Sequence, residues 1–155
     1  MQLIRGIHNL RQRLRGCALT IGNFDGVHLG HQAILRHLRE KADKLKLPMA
    51  VMLFEPQPSE YFMVDKAPAR LMRLRDKLYY LAQAGVDYVI CVKFDRTFAA
   101  QSADQFIQDW LVNRLNVTFL SIFFFFLVGG RGGVFLKKII REIFSPFFFS
   151  QTKKK

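Results

Sequence analysis

The sequence is poor in cysteine: Cys17 and Cys91 are the only two among 155 residues. No Cys-x-x-Cys and no Cys/His cluster occurs, so neither a disulfide framework nor a zinc site is written here. Long hydrophobic runs are missing too. The longest apolar stretch, Val117 to Val128, is broken by Thr118 and Ser121. As a helix it spans about 18 Å, short of a ~30 Å hydrocarbon core. Met1-Gln2-Leu3-Ile4-Arg5 lacks the apolar core of a signal peptide. These absences lead us to expect a reduced, cytoplasmic, soluble protein with no membrane partner.

Acid is the other scarcity. There are 12 Asp+Glu against 24 Lys+Arg, a formal net charge of +12. After Asp109 the only acidic residue is Glu142. Residues 1–115 hold 17 basic and 11 acidic groups, whereas residues 116–155 hold 7 and 1, so each part carries +6. Ten of the 16 Phe lie from Phe119 onward. No aromatic-basic RNA motif or helix-turn-helix pattern accompanies the charge. We therefore assign it to solvated helix faces and polyanionic small-molecule substrates rather than to nucleic acid.

What is present alternates between two periods. Cys17-Ala18-Leu19-Thr20-Ile21, Ala50 to Phe54 and Asp87 to Val92 are short apolar runs of the kind buried on both faces of a parallel sheet. Val117 to Ile122 is a fourth. Between them, Ile34, Leu35, Leu38, Ala42 and Leu45 mark a helix over His31–Leu47, and Leu71, Leu74, Leu78 and Leu81 mark a second, closed by Gly85. Ser102 with Gln105 forms a capping-box signature for a third, burying Phe106, Ile107, Trp110 and Leu111. Residues 59–69 read as a loop. This order implies an α/β fold, a parallel sheet with helices on both faces. Ligands in such folds sit beyond the carboxyl ends of the strands, at the topological switch point.

The first of these strands runs into Gly22-Asn23-Phe24-Asp25-Gly26-Val27-His28-Leu29-Gly30-His31. Gly22, Gly26 and Gly30 allow close backbone approach to a ligand, and the following helix start favours phosphate. His28 and His31, three apart, can face the same phosphates. Ring N–H donors there would stabilise charge on a transferring phosphorus and a leaving pyrophosphate, with no covalent intermediate. A lone H-x-x-H is equally the mark of two surface histidines or half a metal site. The Walker pattern and G-x-G-x-x-G are absent, which argues against P-loop and dinucleotide-binding sites.

This decapeptide resembles the signature of the bacterial bifunctional riboflavin kinase/FMN adenylyltransferase (FAD synthetase) family. Leu3-Ile4-Arg5-Gly6, Phe54-Glu55-Pro56-Gln57-Pro58, Arg70-Leu71, Gly85-Val86-Asp87, Phe94-Asp95 and Phe98-Ala99 fit the same family. The resemblance covers about residues 1–120. It implies a Rossmann-like nucleotidyltransferase fold, here incomplete, that converts ATP and FMN to FAD and diphosphate with Mg²⁺. His28 and His31 would bind the ATP phosphates and stabilise the transition state. Gly22, Asn23, Phe24, Asp25, Gly26 and Gly30 would line the nucleotide and flavin-phosphate pocket. Phe54 and Pro56 fall where the family keeps flavin-pocket residues, although strand-end packing and a turn proline explain them equally. Arg70 is a phosphate contact or the first residue of a solvated helix. No protein metal ligand is assigned, and oligomeric state is left open.

The resemblance breaks after the fourth run. Phe123-Phe124-Phe125-Phe126-Leu127-Val128-Gly129 stands where the family has Gly-Asp/Asn-Asp-Phe-x-Phe-Gly. Gly129, Arg131, Gly133, Phe135 and Leu136 still echo the next family stretch. The family's Ser-Ser-Thr-x-x-Arg motif and its riboflavin kinase domain are not found. We expect residues 1–120 to be the N-terminal part of the adenylyltransferase domain and residues 121–155 a degenerate Phe/Lys-rich continuation, with impaired activity. Two other readings stay open: another H-x-G-H nucleotidyltransferase, or a non-catalytic basic remnant binding nucleotides or nucleic acid.

Overall fold

The computed structural model describes residues 1–10 and 14–122. The Phe runs Phe123–Phe126 and Phe147–Phe149, and nearly all of the 121–155 continuation, lie outside the described residues. Five strands form one open parallel sheet: β1 (Gln2–Arg5), β2 (Cys17–Ile21), β3 (Met49–Glu55), β4 (Tyr88–Lys93) and β5 (Val117–Ile122), in the order β1-β4-β3-β2-β5. From β2 the chain steps to β3 and then β4, and afterwards returns to the other side of β2 with β5. The switch point is therefore at the carboxyl end of β2, beside β5. In register, Ile21 faces Met52 on one side and Ile122 on the other.

The three central strands, β2, β3 and β4, are largely apolar on both faces because both faces are covered. Cys17, Leu19, Ile21, Ala50, Met52 and Phe54 point to one side, where they meet Phe98, Phe106, Ile107 and Leu111. Ala18, Met49, Val51 and Leu53 point to the other. There they pack on Leu35, Leu38 and Ala42 of α1 (Leu29–Leu45) and, beyond the helices α2 (Pro58–Met63) and before β4, on Leu81 of α3 (Leu74–Gln83). Both cysteines are free and buried, and burial raises the Cys17 thiol to about 12, out of reach of ordinary thiol chemistry.

The structure departs from the sequence expectations at three places. Strand β1 was not anticipated; it is a four-residue edge strand with a mixed pattern, recognisable only through its partner, Gln2 pairing with Tyr88 and Arg5 with Cys91. Residues 59–69 are not all loop. Helix α2 starts on Pro58, whose fixed φ suits a first helical position, and the Glu60 carboxylate accepts the Gln57 N–H at 2.8 Å. The second long helix begins at Leu74 rather than Leu71, because the Leu71 and Met72 amides are taken by Asp25.

Past β4 come α4 (Arg96–Ala99) and α5 (Ala103–Gln105), the latter running straight into wide π-type turns over Phe106–Arg114. The capping box is formed: Gln105 N donates to Ser102 Oγ at 3.1 Å, and Ser102 N to Gln105 Oε1 at 3.0 Å. Ser102→Ala should lower the urea-unfolding free energy by about 1 kcal/mol. An unchanged midpoint would show that the cap contributes nothing to this segment.

Candidate functional site

The carboxyl end of β2 leads into a turn built from left-handed backbone. Phe24 (φ 49), Gly26 (φ 77) and Val27 (φ 37) all have positive φ. Two of these are not glycine, so the surroundings must hold them in place. Phe24 and Val27 are buried and pack with α1. At Gly26 a Cβ would meet Leu71 Cδ1 at 3.1 Å in a conformation L-residues rarely adopt. Gly22 N donates to Met52 O at 3.1 Å, extending the sheet by one bond, and a Cβ on Gly22 would meet the Phe24 ring at 3.2 Å.

Three further clasps fix the turn. Asn23 Nδ2 donates to Gln57 Oε1 at 3.1 Å. The Asp25 carboxylate accepts from the amides of Leu71 at 2.9 Å and Met72 at 3.2 Å. Lys77 Nζ, from α3, donates to Asn23 O at 2.6 Å.

His28 is the N-cap of α1, its Nδ1 accepting from His31 N at 3.4 Å. The two imidazoles stack, with centroids 3.8 Å apart and planes 21° apart. His28 is exposed and His31 is buried (7 %), backed by the Phe24 ring at 4.9 Å. His31 Nδ1 is buried without a partner. Burial lowers the His31 pKa from 6.5 to about 4, and the positive fields of His28 and Lys77 push the same way against Asp25. A neutral, desolvated imidazole therefore lies under an exposed one at the start of a 17-residue helix. The amides of the first turn have no helical partners, and the helix dipole adds positive potential there. Gly30, in that turn, presents no side chain that would obstruct it. The arrangement offers a polyanion several fixed donors at one point.

The remaining expected residues lie elsewhere around the turn. Phe54 is buried among Phe94 and Phe98, with ring centroids at 5.6 and 5.4 Å. Pro56 is exposed and follows a cis Glu55–Pro56 bond. Arg70 is exposed and ion-paired with Glu55 and Glu60, which raises its pKa; the same guanidinium holds Glu60 below the usual carboxylate range. It also lines an open cavity of about 600 Å³ with Leu71, Met72, Arg73 and Tyr80. Among the described residues, no group of three or more His, Cys, Asp or Glu could hold a metal ion. No helix among them is long and apolar enough to cross a membrane.

Two residues at the site were not singled out from sequence: Gln57 and Lys77. Gln57 lies in the Phe54–Pro58 stretch, but its bond to Asn23 spans 34 positions. Lys77 carried a local signal, because it interrupts the Leu74, Leu78, Leu81 stripe of α3.

An open parallel α/β sheet, with a histidine-bearing turn at its switch point, is the fold class of a nucleotidyltransferase domain. The family model for FAD synthetase matches residues 10–139, and the chain belongs to that family. It is 73% identical over 122 residues to the bifunctional riboflavin kinase/FMN adenylyltransferase of Haemophilus influenzae, covering 79% of this chain and 40% of that protein. The Escherichia coli (strain K12) protein of the same name is 62% identical over 138 residues, covering 88% of this chain and 44% of the relative. The chain thus spans about two fifths of the length of these relatives. A solved structure described as a macrolide-efflux protein from Streptococcus pneumoniae superposes with a TM-score of 0.66 at 22% identity, over 79% of this chain and 42% of that one. That likeness concerns the fold alone.

Proposed function

We propose that this chain carries the FMN adenylyltransferase step of a bifunctional riboflavin kinase/FMN adenylyltransferase. A phosphate oxygen of FMN attacks the α-phosphorus of ATP. The bond to the β,γ-diphosphate breaks, and FAD and diphosphate form. One observation carries the reading: the stacked His28/His31 pair capping α1 at the switch point. The first-turn amides of α1 and both rings would hold the triphosphate, and His31, neutral and dry, would donate a hydrogen bond to charge developing in the transition state. Gly22, Gly26 and Gly30 let phosphate approach the backbone. Asn23, Phe24 and Asp25 keep the turn in shape, since each is anchored by the contacts above. Arg70 and Pro56 stand on the flavin side, and Phe54 backs it from the core; the open cavity beside Arg70 supports that assignment.

Mg²⁺ would arrive on the triphosphate as part of the substrate. The Asp25 carboxylate is already engaged by two amides, which favours a metal carried by the nucleotide. We read the net charge as serving these polyanions in the cytoplasm, without a nucleic-acid partner. Residues 121–155 we read as a degenerate continuation of the same domain, and the reach of the family match to residue 139 supports a shared frame past β5. Turnover should be slow, because Phe123–Phe126 stands where the family keeps polar contacts.

Calorimetric titration with ATP and with FMN, paired with labelled-ATP assays for FAD, tests the proposal. We expect both to bind and FAD to accumulate slowly. Absence of ATP binding, with RNA binding that falls steeply as salt rises, would replace it with the basic-remnant reading.

A further inference from the structure

Helix α3 turns Leu74, Leu78 and Leu81 toward the sheet, and position 77 completes that i, i+3, i+4, i+7 stripe. An apolar side chain would fit there at no electrostatic cost. The residue is instead a lysine, 3 % exposed. A buried ammonium is unfavourable unless it is partnered. Among the described residues Lys77 forms no ion pair within 4.0 Å, and its hydrogen bond goes to a neutral carbonyl, Asn23 O at 2.6 Å. Asp25 and Glu55 attract it at longer range and Arg70 repels it. Burial, the largest influence, lowers its pKa. A residue that breaks its helix's pattern beside a candidate site calls for a functional explanation.

Of the three clasps on the turn, two are neutral or anionic on the holding side: the Gln57 amide and the Asp25 carboxylate with its amides. Only Lys77 brings positive charge. We propose that Lys77 is a positioning residue, whose ammonium grips the Asn23 carbonyl from beneath, fixes the turn over Gly22–Asp25, and supplies the buried positive charge against which a polyphosphate settles. This rests on reading the turn as the ATP phosphate cradle. The missing counter-charge then has a source: the nucleotide itself. The same ammonium, with His28 and Asp25, is among the charged groups that His31 senses.

The test uses the 155-residue chain and its Lys77→Met and Lys77→Arg variants. Thermal melting should show Lys77→Met as stable as the parent or more so, because a desolvated charge has been removed. Its ATP affinity should fall about tenfold, the scale of one charge-assisted contact. Amide exchange at Phe24 and Asp25 should quicken without nucleotide, and the His31 titration followed by NMR should move upward. Lys77→Arg should return the His31 titration toward the parent value, which a purely packing role would not produce. On the parent itself, the Lys77 ammonium resonance should shift as ATP is added. Unchanged exchange together with unchanged His31 titration in Lys77→Met would overturn the proposal, as would an ammonium signal that ignores bound ATP. A parent chain that binds no ATP defeats the function proposed above; the exchange and titration results still decide whether Lys77 positions the turn.

Discussion

Replacing His31 with alanine should slow diphosphate release from ATP in the presence of FMN by about 10²- to 10³-fold relative to the parent chain, the usual scale for one preorganised donor in a water-excluded site. The expectation comes from its surroundings. His31 is sandwiched between Phe24 and His28 and is nine-tenths buried. A hydrogen bond from it to a transition-state oxygen would form in a low local dielectric, where it is stronger than in water. His31→Gln keeps an N–H donor and should recover part of the rate. Because the interaction strengthens as charge develops, the loss should appear in kcat more than in KM for ATP. His28→Ala should affect KM more, because His28 is exposed and also caps α1. If His31→Ala retains a rate within a few-fold of the parent, the transition-state role of that ring is wrong.

How much of this could be read along the chain depends on how local each feature is. Strands β2 to β4 were legible because burial on both faces writes a nearly continuous apolar run, as in Ala50 to Phe54, and edge strand β5 because its apolar stretch survives the breaks at Thr118 and Ser121. The Ser102 capping box was legible because all its atoms lie within four residues. The His28/His31 pair was legible because a helical turn separates them. Edge strand β1 was not, since only Ile4 of its four residues is buried. The anchoring of the turn was not legible either. Asp25 meets the Leu71 amide 46 positions away, and Lys77 meets Asn23 O 54 positions away. Arg70 illustrates the same limit. From sequence it was a phosphate contact or the first residue of a solvated helix; in the fold, Glu55 and Glu60 converge on it from the end of β3 and from α2. Sequence periodicity reports which face is buried, and says nothing about which polar atoms meet once the faces are packed.

Acid should weaken the fold through His31, and the sign follows from its lowered pKa. Near pH 7 His31 is neutral in both the folded and the unfolded chain. Below its ordinary value of 6.5 the unfolded chain takes up a proton that the folded site, with a pKa of about 4, refuses. The unfolded state then binds more protons, so stability declines as pH falls. The His31 contribution is fully present above pH 6.5 and is lost by about pH 4, a total of about 3 kcal/mol. Glu60 and Asp95, both held below their ordinary values, lose their own contributions lower on the scale, as pH falls through the carboxylate range. Urea midpoints for the parent and for His31→Gln, taken between pH 7 and pH 4, separate these effects, because the carboxylates are common to both chains. The two curves should diverge below pH 6.5, with the parent losing more. Parallel curves would mean that the folded site accepts the proton readily, and that His31 is not the dry, neutral donor the mechanism needs. Nucleotide should reverse the effect. A bound polyphosphate over His31 offsets the positive fields of His28 and Lys77, so its pKa rises and binding near pH 5 draws a proton from the buffer. Calorimetry in two buffers of different ionisation enthalpy should detect that uptake in the parent and find it reduced in His31→Gln.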